Sequence, residues 1–470
     1  MSKLSSELNA EQVAADLAVF ADIGTDAPSI ELTDQGAVVR MIRQGEQTEI
    51  EVRKSGALVE SWGSESQKHA NFKALLASER YGNLREWAFK QTAFLTQEMR
   101  DVGSLIEAWG LLSGTFELVD VSKVDDHLCS PQSDGSTRVL LIDGPAGIGK
   151  TQFIASLATQ RANSYTSKRR PLLLHVQSRG RTLTYLYDLV AFSLQRLRLD
   201  VTFDQVPILA KYGLITIAID GFDELADPDG YNNAWSQVSD LIETLRGDGS
   251  IILAGRETFI GRDRVVKDIK SVREGKDEIN VLTLQPPSKS TAVGWLAQQG
   301  WNDDQINLIE DFLEPNSLAL RPFFLKTLSD PSVAASLSGT AATSVLSILM
   351  EAMIERETGL FGEAIQRVLN HEQRRQYLRS LLCEAARDMA ESNSSSISDA
   401  TLTWLVEIAL PIEIDEAATR ILKARSQAIA FFTNDDRPGY RRFFHDKFYE
   451  YFLSLATVQM ISSEECAELR

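Results

Sequence analysis

Over the first hundred positions, short runs of alternating apolar and polar residues predict a small antiparallel sheet with helices around it. Four runs have strand character, at residues 30–32, 37–42, 48–53 and 57–62. Turn-forming residues such as Asp34-Gln35-Gly36 separate them. Alternation is clearest from Glu49 to Arg53, so one face of this sheet is expected to be solvated. With helices expected around residues 13–20, 71–78 and 84–99, we predict an α+β N-terminal module over residues 1–110.

The charged residues of this module allow two interpretations. Glu49, Glu51 and Lys54 lie close together on a predicted strand, as in some metal-dependent nucleases. No correctly placed earlier acid accompanies them, and alternating charges are typical of the solvated face of a strand. We therefore interpret the module as a part that contacts a protein partner or receives a trigger.

The middle of the chain has a different pattern. Residues 111–137 are polar and rich in turn formers, which predicts a linker. Continuous apolar runs then alternate with helical stretches, with strands expected at residues 139–142, 171–176, 214–219 and 250–254. Because continuous apolar strands are typical of parallel sheets covered on both faces, we predict an α/β fold with a parallel sheet over residues 138–285.

The loop after the first of these strands carries the chemistry of phosphate binding. Its sequence, GPAGIGKT, matches the pattern G-x-x-x-x-G-K-[ST] between a strand and a helix. Glycines let the backbone N–H groups turn toward an anion, and the helix that follows directs its positive dipole end to the same place. The alternative is a glycine-rich turn without a ligand. The predicted nucleotide-binding residues of this P-loop are Gly144, Pro145, Ala146, Gly147, Ile148, Gly149, Lys150, Thr151 and Gln152.

Candidate residues for metal binding and hydrolysis follow two other strands. Asp220 ends an apolar strand and is predicted, with the hydroxyl of Thr151, to bind Mg²⁺. Glu224, helped by Asp223, is the predicted base that activates the attacking water. Alone, such acids are typical of a solvated helix start, but together with the P-loop they favour hydrolysis of a nucleotide. Arg256 follows the strand at residues 250–254 and is predicted to sense a terminal phosphate.

Composition restricts the partners and the compartment. The chain has 470 residues with 48 basic and 66 acidic side chains, a net charge of −18, so nucleic acid is not indicated as a partner. The three cysteines, Cys129, Cys383 and Cys466, are far apart and lack metal-ligand spacing, which is typical of a reducing compartment. We find neither an apolar leader nor an apolar stretch of membrane-spanning length, so we expect a cytoplasmic protein without a membrane partner.

Three stretches resemble one family of switch ATPases. LITIAIDGFDEL, preceded by GPAGIGKT and followed by IILAGRETF, resembles the NACHT group of STAND-type NTPases, which are related to AAA+ proteins. The small Gly221 and the two acids after it are the distinguishing feature. VLTLQPPSKSTAVGWL resembles the entry to the family's helical domain, and FFHDKFYEYFLSLA resembles its winged-helix signature. The resemblance implies a helical domain over residues 286–342 and a winged-helix domain over residues 343–470.

The same resemblance implies a function. Pro322 would pack against adenine, and His445 would bond the β-phosphate of ADP. The cofactors would be ATP or ADP with Mg²⁺. Such a protein is closed with ADP, opens with ATP, assembles with copies of itself when activated and hydrolyses ATP slowly. In bacteria, this family implies defence or stress signalling.

Two other functions remain open at this stage. A continuously cycling AAA+ motor or loader would hydrolyse ATP without a trigger. A nucleotide-stabilised scaffold would bind a partner through residues 1–110 and hardly hydrolyse ATP.

Overall fold

A computed structural model describes most of the chain. The described residues are 9–115, 117–133, 135–168, 170–178, 186–222, 231–256, 267, 269, 271–315, 317–330, 333, 342–427, 429–435, 437 and 439–462. Among them, no helix combines the length and the apolar character required to cross a bilayer.

The N-terminal module is a five-stranded antiparallel sheet with three helices. Its strands pair in the order β1-β2-β3-β4-β5. The last strand is absent from the sequence prediction because its first four residues are polar and exposed, and pairing with β4 alone makes it a strand. The elements are α1 (Ala10–Leu17), β1 (Ser29–Thr33), β2 (Gly36–Arg43), β3 (Glu46–Arg53), β4 (Leu58–Trp62), β5 (Glu65–His69), α2 (Phe72–Leu76) and α3 (Leu84–Val102).

The segment predicted as a linker differs from that expectation. It includes the end of β6 (Trp109–Leu112), then β7 (Leu118–Val119) and α4 (Val121–Leu128). The carboxylate of Asp120 accepts a hydrogen bond of 2.8 Å from the backbone N–H of Lys123 and so caps α4. The segment is polar in composition because its strands are short and its helix is amphipathic, with Val124 and Leu128 buried.

The α/β core contains a seven-stranded sheet in the order β7-β6-β12-β8-β11-β10-β9. The five strands from β12 to β9 are parallel, and β6 and β7 extend the sheet in antiparallel fashion. The predicted α/β class with a parallel sheet is therefore confirmed. The elements are β8 (Arg138–Asp143), α5 (Lys150–Lys168), β9 (Leu172–Gln177), α6 (Leu186–Arg196), α7 (Gln205–Lys211), β10 (Ile215–Asp220), α8 (Tyr231–Thr244), β11 (Ser250–Ala254) and β12 (Glu278–Gln285).

Both faces of this sheet are covered by apolar side chains. Val139 and Leu141 of β8 join an apolar cluster that includes residues of the N-terminal module. Leu140 and Ile142 point to the opposite face and pack with residues of α4 and α5. Successive side chains of a strand point to opposite faces, so burial of both faces explains the continuous apolar runs in the sequence.

The C-terminal region, residues 289–462, is mainly helical and has a small antiparallel sheet in the order β13-β15-β14. The hairpin of β14 and β15 lies within residues 343–470, over which the resemblance implies a winged-helix domain. The elements are α9 (Lys289–Gln298), α10 (Asp303–Leu308), α11 (Pro322–Leu328), α12 (Ala342–Gly359), α13 (Glu363–Val368), α14 (His371–Glu391), β13 (Ile397–Ser398), α15 (Asp399–Ala409), α16 (Glu416–Ser426), β14 (Phe432–Asn434), β15 (Tyr440–Phe443) and α17 (Asp446–Ser462).

Candidate functional site

The P-loop leaves the carboxyl end of β8 and enters α5. Gly147 has φ +79° and Gly149 has φ +104°, in the region that favours glycine. A Cβ atom at Gly147 would also lie 2.9 Å from the Cβ of Phe323. Both the backbone conformation and the close approach of α11 therefore require glycine at this position.

The side chain of Lys150 lies across this loop. Its Nζ donates to the carbonyl oxygen of Gly144 at 2.6 Å and to that of Pro145 at 3.1 Å. Thr151, the next residue, is exposed. The loop therefore combines an ammonium group, a hydroxyl and a helix N-terminus at one edge of the sheet, which is the chemistry that binds phosphate.

Asp220 ends β10 at the same edge, two strands away from the P-loop strand. It lies opposite Ala254 of β11, which in turn lies opposite Ile142 of β8. With neighbouring strands about 4.8 Å apart, Asp220 is about 10 Å from the end of β8 across the sheet.

The donor set at this edge fits Mg²⁺. Thr151 and Asp220 offer a hydroxyl and a carboxylate, which are the oxygen ligands that Mg²⁺ prefers. No group of three or more His, Cys, Asp or Glu side chains in the described part of the chain is arranged to hold a metal. An ion held by Thr151 and Asp220 would complete its coordination with phosphate and water oxygens, as Mg²⁺ commonly does in nucleotide sites.

His175 is a neighbour of Asp220 that the sequence analysis missed. Its Nε2 lies 3.0 Å from Oδ2 of Asp220. An ionised carboxylate only accepts hydrogen bonds, so the ring N–H donates. The sequence signal is weak because His175 is a single histidine in an apolar run, 45 positions from Asp220. Only the pairing of β9 with β10, which sets His175 opposite Ala218, brings the two side chains together.

The third strand end carries Arg256. The N–H of Gly255 donates to the carbonyl oxygen of Ile142 at 3.1 Å, so the chain leaves β11 beside the end of β8. Nη1 of Arg256 donates to the carbonyl oxygen of Ile429 at 3.3 Å, which connects this edge to the C-terminal region. The predicted base Glu224 and its neighbour Asp223 lie outside the described residues.

Pro322, predicted to contact adenine, is the first residue of α11 and lies against the P-loop. A Cβ atom at Gly149 would be 3.8 Å from Cγ of Pro322. The N–H of Phe323 donates to the carbonyl oxygen of Gly147 at 3.1 Å. On the other side of the loop, Nε2 of Gln152 donates to the carbonyl oxygen of Ile106 at 2.8 Å.

Arg321, which the sequence analysis did not single out, joins the P-loop to a part of the C-terminal region that lies far away in the sequence. Its Nη1 donates to the carbonyl oxygen of Ala146 at 3.4 Å, and its guanidinium carbon lies 4.4 Å from the centre of the Phe444 ring. Burial lowers the pKa of Arg321 to about 10, so the side chain is still a cation at neutral pH. This contact brings Phe444, and with it the following residue His445, toward the loop.

His445 itself is half-buried in the turn between β15 and α17. Its Nδ1 accepts a hydrogen bond of 3.1 Å from the backbone N–H of Lys447, and its ring lies 6.2 Å from that of Phe448. The two residues that the resemblance assigns to nucleotide contact, Pro322 and His445, are thus placed differently. Pro322 touches the loop directly. His445 follows Phe444, whose ring contacts Arg321, and Arg321 in turn bonds the loop.

Comparison with known proteins adds only distant structural similarity. No protein-family model and no curated protein matches the chain. The Aeropyrum pernix ORC2 protein in its ADPNP-ADP complexes is 12% identical over 73% of this chain and 93% of its own, with a TM-score of 0.34. Cdc6p from Pyrobaculum aerophilum is 12% identical over 72% of this chain and 93% of its own, with a TM-score of 0.24. Domain III of the replication initiation protein DnaA from Thermotoga maritima is 17% identical over 49% of this chain and 88% of its own, with a TM-score of 0.30. Scores this low carry no conclusion about function.

Proposed function

We propose that the protein is an ATP-binding and ATP-hydrolysing switch of the NACHT or STAND type. The observation that carries this proposal is the contact between the P-loop and the C-terminal region. Arg321 and Phe323 bond the carbonyl oxygens of Ala146 and Gly147, while Pro322 packs beside Gly149. A nucleotide bound in the loop would therefore touch, or displace, the same residues that hold the C-terminal region in place.

Each predicted residue has a role in this switch. Lys150 would leave the loop carbonyls to bind the outer phosphates, and Arg256 would contact the terminal phosphate. Thr151 and Asp220 would hold Mg²⁺, which supplies charge neutralisation for the phosphates when bound. Glu224, with Asp223, would orient and deprotonate the attacking water.

The closed form is the one that binds ADP, through Pro322 and His445. A ligand shifts a conformational equilibrium only through its different affinities for the two forms. Moving the population from about 1% to about 99% open requires a difference of about 10,000-fold between the forms. Arg256 and His445, which approach the site from two parts of the protein, are the residues proposed to distinguish ATP from ADP. Opened copies would assemble with one another, and the N-terminal module would contact the partner or trigger of a defence or stress response.

The first test is the nucleotide content of freshly purified, undialysed protein, released by denaturation and separated by chromatography. We expect close to one ADP per chain, and an empty site in Lys150→Ala because the phosphate-binding charge is lost. An empty wild-type site with rapid ATP turnover would reject the ADP-closed form and favour a continuously cycling motor.

Glu224→Gln separates the switch from the other two functions. In a switch, the variant should bind ATP without hydrolysing it and accumulate as an assembled form, measured by light scattering after ATP is added. In a motor the variant would stall on its substrate, and in a scaffold its partner binding would equal that of the wild type.

A further inference from the structure

A line of hydrogen bonds joins the N-terminal module to Asp220. Nη2 of Arg196, on α6, bonds Oε1 of Glu98 at 2.6 Å, and its Nη1 lies 3.4 Å from Oε1 of Gln177. Nε2 of Gln177 lies 3.4 Å from the ring nitrogens of His175, whose Nε2 lies 3.0 Å from Asp220. We call these five residues the relay: Glu98, Arg196, Gln177, His175 and Asp220.

Donors and acceptors along the relay are mutually consistent. The carboxylate of Asp220 accepts, so Nε2 of His175 donates, and in the tautomer that carries its proton on Nε2 the other nitrogen, Nδ1, is an acceptor. The amide nitrogen of Gln177 lies 3.4 Å from both ring nitrogens, of which only Nδ1 can accept its N–H, and the amide oxygen is left to accept from Arg196. Arg196 donates at both ends, since a guanidinium has only donors. No group is required to act as donor and acceptor at the same atom.

The module end of the relay is held at two points on α3. The guanidinium carbon of Arg196 lies 4.8 Å from the centre of the Phe94 ring, and Glu98 lies one helical turn further on. A displacement of α3 would thus move both contacts of Arg196 together. The contact between Arg196 and the side-chain amide of Gln177 would then be lost. Without it, the amide would no longer fix the orientation of the His175 ring.

We propose that His175 is a positioning residue for Asp220, and that the relay makes the affinity of the site for Mg²⁺ depend on where α3 lies. The hydrogen bond from His175 to Oδ2 fixes the rotation of the Asp220 carboxylate, which would hold Mg²⁺ in the nucleotide-bound protein. Groups that hold a ligating carboxylate in this way change metal affinity without touching the metal. The proposal rests on the nucleotide-binding function proposed above, and it assigns regulation of that site to the N-terminal module.

The test compares nucleotide binding with and without Mg²⁺ in the full-length protein, using a fluorescent ADP analogue. Mg²⁺ is expected to strengthen binding of the analogue. His175→Leu should raise about tenfold the Mg²⁺ concentration that gives half of this increase in affinity. Affinity measured in EDTA should equal that of the wild type. His175→Gln should restore the Mg²⁺ dependence, because its amide nitrogen extends about as far as Nε2 of histidine. An unchanged Mg²⁺ dependence in His175→Leu, or an equal loss of affinity in EDTA, would overturn the positioning role.

The module end is tested with Glu98→Gln and a matched control on the same helix. Glu86→Gln removes a carboxylate from α3 that pairs with Lys90 at 2.7 Å, away from the relay. Glu98→Gln should shift the Mg²⁺ dependence about fivefold in the same direction as His175→Leu, and Glu86→Gln should leave it unchanged. The double variant of Glu98 and His175 should match His175→Leu alone, since the line is already broken. Additive shifts, or an equal shift in the control, would reject the relay.

Failure of this inference is distinguishable from failure of the proposed function. A wild-type protein that binds no nucleotide under any condition would overturn the proposed function and the inference with it. Wild-type binding that Mg²⁺ strengthens, together with an unchanged His175→Leu, would overturn only the inference.

Discussion

The two regions that flank the α/β core are attached to it in different ways. Leu17, Phe72 and Trp87 of the N-terminal module share one apolar cluster with core residues such as Leu174 and Leu209. The C-terminal region instead has an apolar cluster of its own. Among the described residues before α9, that cluster includes only Ile106 and Ala146.

In the described residues, three hydrogen bonds join the C-terminal region to the strand ends. Arg321 bonds Ala146, Phe323 bonds Gly147, and Arg256 bonds Ile429. Hydrogen bonds of this kind can be exchanged for bonds to water or to a ligand at a small net cost, about 1 kcal/mol each. Separating the N-terminal module would instead expose a continuous apolar surface, at about 25 cal/mol for each Å². This difference teaches that the apolar part of the N-terminal module is fixed to the core, and that the C-terminal region is the part able to move away from it.

Removing a shared apolar side chain should have the largest effect. Phe72 is 1% exposed and its ring lies 5.0 Å from that of Tyr212 in the core. Phe72→Ala should lower the free energy of unfolding by about 3–5 kcal/mol and destabilise module and core in one transition, measured by chemical denaturation. Phe89→Ala, at a position of the same module that is 75% exposed, should change it by less than about 0.5 kcal/mol. If the module of Phe72→Ala unfolded at a lower denaturant concentration than the core, the module would not be part of the core.

Removing the cation that joins the P-loop to Phe444 in the C-terminal region should have the next largest effect. Arg321→Met keeps an apolar stem but loses the hydrogen bond to Ala146 and the contact with Phe444. We expect the interface to weaken by about 2 kcal/mol, with faster hydrogen exchange in residues 429–444 and unchanged exchange in the N-terminal module. Arg367→Ala, an exposed arginine on α13, is the control. Equal exchange in Arg321→Met and wild type would mean that other contacts hold the interface.

A methyl group on the P-loop should displace α11. Gly147→Ala carries a strain of about 1–2 kcal/mol from its positive φ and brings a Cβ against Phe323. Gly45→Ala has nearly the same φ, +76°, but no atom within 4 Å of the added Cβ. In nucleotide-free protein, Gly147→Ala should lose more stability than Gly45→Ala because its Cβ also meets Phe323, and only Gly147→Ala should make residues 322–328 accessible to proteases. Similar proteolysis of the two variants would argue against the close contact.

The smallest effect is expected for one polar contact between the module and the core. The hydroxyl of Tyr212 donates to the Asp16 carboxylate at 2.6 Å, and burial together with this bond raises the pKa of Tyr212. Tyr212→Phe should lower the free energy of unfolding by only about 1 kcal/mol, because Lys211 still pairs with Asp16 at 2.8 Å. Denaturation of Tyr440→Phe, at an exposed tyrosine of the hairpin, gives the baseline. A loss above about 3 kcal/mol would mean that polar contacts, and not apolar burial, attach the module.

Strands of the α/β core were the most predictable elements. The strand expected at residues 250–254 matches β11, and that expected at residues 214–219 differs from β10 by one residue at each end. These strands are buried on both faces, so each position needs an apolar side chain and the pattern is visible in the sequence alone. The P-loop was predictable for a related reason, since its glycines meet a local requirement of the backbone.

Other elements could not be predicted because their causes are not local. β5 and β7 lie at sheet edges, where pairing with one neighbour makes a strand out of polar or very short segments. Arg321 and His175 each have a partner far away in the sequence, Phe444 and Asp220 respectively. Neither pair has a spacing that a sequence pattern could reveal.

The sequence by itself determined the class of the core, the position of the P-loop and the candidate residues at the strand ends. Burial periodicity and the backbone freedom of glycine act over a few residues, so a short stretch of sequence is enough to recognise them. Tertiary structure alone decided that the N-terminal module shares the interior of the core, that α11 lies on the P-loop, and that His175 bonds Asp220. These contacts depend on strand order and helix packing, which join residues separated by tens to hundreds of positions.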